Sequence, residues 1–73
     1  MSAITRVLVD LCHAAGRDSP AFYGAVQIDA ALWNEEWSVA LREALQLHSA
    51  GEIPQHLQSR WRELVNFIQE QIQ

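Results

Sequence analysis

The sequence predicts an all-α fold, a small bundle of three principal helices forming one domain over residues 1–73. Three observations carry that reading. The composition is helical: alanine, leucine, glutamine, glutamate and arginine are plentiful, and threonine occurs once, at Thr5. Apolar residues recur at spacings of three and four along most of the chain, the signature of amphipathic helices. Glycine and proline, three and two in number, mark two connectors, "RDSP" and "GEIP".

The first helix is expected over about residues 3–15. Ile4, Val7, Leu8, Leu11, Ala14 and Ala15 share one face, while Arg6 and Asp10 sit four apart on the other. Ser2 can cap its start, and Gly16 can end it in the left-handed conformation. In "RDSP", Ser19 is placed to cap the next helix, with Pro20 at its first position.

The middle helix turns on the stretch "LWNEEW", residues 32–37. Tyr23, Val26, Ala30, Trp33, Trp37, Ala40, Ala44 and Leu47 keep an alternating three–four spacing straight across it, as a heptad seam does. Asn34 makes a poor cap here, since the third residue after it is Trp37 and not the Glu or Gln of a capping box. A continuous helix is therefore expected over about 29–49, opened by Asp29 with an Ile28–Trp33 staple, in which case residues 20–27 make a short separate helix or turn and could bring the count to four; a start at 20 is the alternative. Gly51 ends it in either case. The last helix is expected over 54–72, opened by Pro54, with Leu57, Trp61, Leu64, Val65, Ile68 and Ile72 on its apolar arc.

At 73 residues the chain buries only about 60% of the surface exposed when unfolded. Folds this small lean on disulfides, metals, good helix packing or a partner chain. With Cys12 as the one cysteine, an intramolecular disulfide is ruled out, which raises the expectation of association. The opening "MSAITRVLVDLCHAAG" shares a basic residue, an apolar run and a cysteine with secretory and lipoprotein leaders. Asp10 interrupts that run, and the residues just before Cys12 are not small, so a helix of the mature protein is expected instead. A free thiol fits a reducing compartment, and a cytoplasmic protein without membrane contact is expected. No apolar run approaches the roughly 18 residues of a spanning helix.

The residue pattern argues against the chemistry of an enzyme. His13, His48 and His56 show none of the usual zinc spacings. Cys12 and His13 are neighbours on a helix and diverge by about 100°, which does not make a nucleophile–base pair. Glu35 and Glu36 are adjacent and point apart, and no glycine-rich phosphate loop occurs. No catalytic residue, metal or cofactor is expected.

What remains is an interaction protein. Val9, Leu32, Val39 and Phe67 fall off the apolar arcs of their helices, and tryptophan is enriched at binding surfaces. The function expected is a non-enzymatic protein–protein interaction module, a regulator, adaptor or inhibitor that self-associates as a homodimer. Phe67, Arg60, His56, Val39 and Leu32 are the expected contacts to another protein; Trp33, Trp37 and Ala40 are the expected self-association seam. The alternative is a helix-turn-helix-like DNA-binding regulator reading bases with the helix at 54–72. A net charge of −4 and the absence of lysine count against nucleic acid, which needs a basic stripe.

Overall fold

A computed structural model describes residues 3–73, and the described chain is all-helical. Four α-helices follow in order: α1 (Arg6–Ala15), α2 (Pro20–Trp33), α3 (Trp37–Ser49) and α4 (Gln58–Ile72). A short 3-10 turn, Gln55–Leu57, leads into the last. The all-α bundle expected from periodicity is present, with one helix more than the three principal ones; the separate second helix runs to Trp33 and not only over 20–27. Ser2, the expected first cap, lies outside the described residues.

The extra helix comes from a break inside "LWNEEW", so the expected continuous middle helix is corrected. α2 ends at Trp33, and Glu35 takes a left-handed conformation, φ +56°. The Glu35 N–H donates to the Leu32 carbonyl at 3.2 Å and the Glu36 N–H to Ala31 at 2.8 Å. This double closure, six-to-one and five-to-two, is the Schellman motif that satisfies the last carbonyls of a helix. α3 ends in the same way: Gly51, φ +75°, donates to His48 and Glu52 donates to Leu47. An unbroken helix over 20–49 would be about 45 Å long, whereas the longest dimension of the molecule is 32 Å. Folding back at Asn34–Glu36 lets α2 bury one side on α3.

Other boundaries differ less. α2 starts at Pro20, with the Ser19 hydroxyl accepting from the Phe22 N–H at 3.1 Å. Cap and N1 proline are as expected, and Asp29 is an exposed mid-helix residue, not a cap. Gly16 closes α1 with positive φ, +84°, but ψ is 159°. That region is extended rather than left-handed α, and essentially only glycine enters it.

α2 packs on α1 and α3, while α4 packs on α3 and, over a shorter stretch, on α1. The α2–α3 pair is antiparallel, since Gly24 near the start of α2 lies against Leu47 near the end of α3. A Cβ on Gly24 would stand 2.6 Å from Leu47 Cδ1 and 3.0 Å from its Cγ, so the missing side chain sets the spacing of the two helices. Around this contact α2 buries Ala21, Ala25, Ile28 and Ala31. Val7, Leu11, Leu57, Trp61, Leu64 and Ile68 fill the rest of the centre. Trp61 is 1% exposed, and its indole N–H donates to the Ala44 carbonyl at 3.0 Å, pinning α4 to α3. Among the described residues no polar or charged side chain is buried, so the core makes no polar demand beyond that one N–H.

Two pairs of substitutions test this account. A left-handed residue other than glycine costs about 1–2 kcal/mol, and glycine gives back roughly 0.5–1 in unfolded-chain entropy. Glu35→Gly is therefore expected to stabilise by about 0.5–1 kcal/mol in urea unfolding, and Gly51→Ala to destabilise by a similar amount. Nothing lies within 4 Å of a Cβ at Gly51, so that loss is conformational alone. Gly24→Ala gains about 1 kcal/mol of helix propensity against an overpacking cost of about 1–3, a net loss. In a Leu47→Ala background the same change should become stabilising, because the clash is gone. A double-mutant cycle reads the reversal of sign.

Candidate functional site

Of the residues expected to form a site, some are taken up by contacts within the monomer and others are exposed. Phe67 is half-buried and packs edge-to-face on Trp37, ring centroids 6.2 Å apart. Leu32 is half-buried against the core. Arg60 Nη1 lies 2.7 Å from the Asp10 carboxylate, tying α4 to α1, and Arg6 approaches the same carboxylate at 3.7 Å. His56 is exposed in the 3-10 turn, and Val39 is exposed near the start of α3. Of the expected seam, Ala40 is fully buried inside the monomer and offers no surface, Trp37 is spent on Phe67, and Trp33 is 82% exposed. The break at Asn34–Glu36 causes this. It turns Ala40, Ala44 and Leu47 inward while Tyr23, Val26, Ala30 and Trp33 stay outside.

Those four outward residues form the candidate site. Tyr23 is 56% and Val26 49% exposed, and Ala30 and Trp33 continue the line toward the end of the helix. Their spacing of three, four and three places them on one side of α2. Phe22, half-buried, meets Tyr23 edge-to-face at 6.1 Å and widens the near end. Among the fourteen residues of α2 only Gln27 and Asp29 carry amide or charged side chains. A helix apolar all round is normally covered on all sides, yet α1 and α3 cover only the side bearing Ala21, Gly24, Ala25, Ile28 and Ala31. Tyr23, Val26, Ala30 and Trp33 were all visible in the sequence as one spacing. What sequence reasoning missed is that α2 carries two apolar stripes, and that the small one faces in.

Charge around the stripe is uneven. Asp18 and Arg17 precede it, Asp29 flanks it, and Glu35 and Glu36 follow it, all exposed. A hollow of about 130 Å³ opens between α3 and α4, lined by Leu45, His48, Gln58, Trp61, Arg62 and Val65.

Ionisable groups elsewhere are structural in character. The hydrogen bond from Arg60 holds the Asp10 carboxyl below its ordinary value of 3.8, helped by the charges of Arg60, Arg6 and His13 and opposed by desolvation. Burial pushes the Cys12 thiol up, with the Asp29 carboxylate adding to the shift. A thiol shifted that way stays protonated at neutral pH and is a weak nucleophile. Among the described residues no three His, Cys, Asp or Glu side chains are grouped to hold a metal ion. None of their helices is long and apolar enough to cross a membrane. No protein-family model, curated protein or solved structure matches the chain, so any functional reading rests on its own residues.

The depressed Asp10 value fixes the sign of one pH effect. A carboxylate with a lowered folded pKa contributes stability above its unfolded pKa, about 3.9, and loses it as pH falls through the folded value. Asp10→Asn is expected to lower the melting temperature at neutral pH. The difference from the parent should close as pH drops below that range, read by circular dichroism.

Proposed function

We propose that the chain is a non-enzymatic helical protein–protein interaction module, a regulator, adaptor or inhibitor, whose docking face is the outer side of α2. One observation carries the reading: an apolar helix leaves Tyr23, Val26, Ala30 and Trp33 in water on one side, with Trp33 82% exposed. Aromatic side chains supply large contact area at low entropic cost and dominate binding hot spots. Leaving an indole exposed gives the monomer nothing, whereas covering it on a partner removes apolar area worth about 25 cal/mol per Å². Self-association belongs to the same reading only in so far as this face can pair. The seam through Ala40 is not available, because Ala40 is packed inside the monomer.

Two measurements test the proposal. Trp33→Ser is expected to change unfolding free energy by no more than about 0.5 kcal/mol, as exposed substitutions do. A photoreactive phenylalanine analogue at position 33 should form protein adducts in the source cells, and the same analogue at exposed Arg42 on α3 should not. Equal labelling from both positions, or none from position 33, would refute the docking face.

A further inference from the structure

We infer that the occupant of this face is a cationic amphipathic helix of another protein. Its apolar side lies along Tyr23, Val26, Ala30 and Trp33, and its lysine or arginine flanks meet the carboxylates around them. The inference rests on the interaction reading above and names the chemistry of the partner. It is carried by charge. The exposed ionic groups before, beside and after the stripe are Arg17, Asp18, Asp29, Glu35 and Glu36, one positive and four negative. Of the other cations, Arg6 and Arg60 are held by Asp10, Arg62 lines the hollow between α3 and α4, and Arg42 is exposed on α3.

The same charges argue against two other occupants. Pairing of two copies is symmetric. In an antiparallel pair Asp29, near the middle of the stripe, faces its own counterpart; in a parallel pair Glu35 and Glu36 face theirs. Either arrangement sets like charges around a desolvated apolar centre, which disfavours association. An anionic lipid surface meets the same repulsion, because interfacial helices bind such surfaces through lysine and arginine on their polar face. A basic helix meets neither penalty. The stripe runs from Tyr23 to Trp33 on α2, about 15 Å, which suits a partner helix of about three turns presenting anchors at helical spacing.

The test uses the full chain and two acetylated, amidated peptides as long as α2. Both carry leucines at helical spacing; lysine fills the remaining positions of one and glutamate those of the other. Titration calorimetry at low and physiological salt should show the lysine peptide binding at least about tenfold tighter than the glutamate peptide, with the gap narrowing as salt rises. Trp33→Ser should weaken the lysine peptide about tenfold. Combined Asp29→Asn, Glu35→Gln and Glu36→Gln should remove most of its salt dependence. Glu63→Gln with Glu70→Gln, both on α4, which does not pack on α2, should not. Equal binding of both peptides, or an equal loss per charge removed from the two variants, would overturn the inference by reducing it to net charge. So would self-association of the chain, or its binding to phosphatidylglycerol vesicles, in place of peptide binding. If the peptides fail while position 33 still crosslinks to protein, the partner chemistry is wrong and the docking face stands; if both fail, the interaction reading falls with it.

Discussion

The contact between Gly24 and Leu47 is the constraint from which the rest of the arrangement follows. With no Cβ at residue 24, α3 comes in close along the small side of α2, and Ala21, Ala25, Ile28 and Ala31 go under with it. Having spent its small side on the neighbour, α2 has only its bulky side left for water. Exposure of Tyr23, Val26 and Trp33 is thus a consequence of packing and not a surface accident. Apart from Ile28, the largest fully buried side chains come from α1, the 3-10 turn and α4, with Trp61 the largest.

Satisfying the ends and joins of the helices takes few polar contacts. Two Schellman closures turn the chain after α2 and α3, one with a glutamate and one with a glycine in the left-handed position. One indole N–H joins α4 to α3, and one ion pair joins α4 to α1. The first is buried and directional and therefore specifies how α4 sits on α3. The second is partly exposed, so screening by water and salt leaves it a modest role. Because the core holds no buried charge, its stability rests on apolar packing, and the thin margin of a 73-residue domain makes each contact count.

The surface divides in the same way. Most side chains that could do chemistry are occupied or unsuited: Asp10 is paired, Cys12 is held in its thiol form, and Phe67 and Trp37 cover each other. Among the described residues the stripe on α2 carries the most exposed large apolar side chains, Trp33, Tyr23 and Val26, with carboxylates beside and after it in the chain. On the proposed reading, the aromatics of this face would supply contact area to a partner and the neighbouring carboxylates its orientation.

By itself the sequence determined the helical class, the Gly51 stop and the inward arc of the last helix through Leu57, Trp61, Leu64 and Ile68, and it offered Ser19–Pro20 as one of two starts for the second helix. Each of these rests on local chemistry: propensity, capping, positive φ, or a helix with a single apolar side. Tertiary structure alone decided the break at Asn34–Glu36. Nothing local forbids a helix through "LWNEEW", and the three–four spacing runs across it; the turn exists because the buried side of α2 needs α3. It also decided which side of α2 is buried. Periodicity reports that apolar residues share a face, and α2 has two such faces. Only the fit of Gly24 against Leu47 chooses between them, and that choice left the tryptophan of the expected seam on the outside.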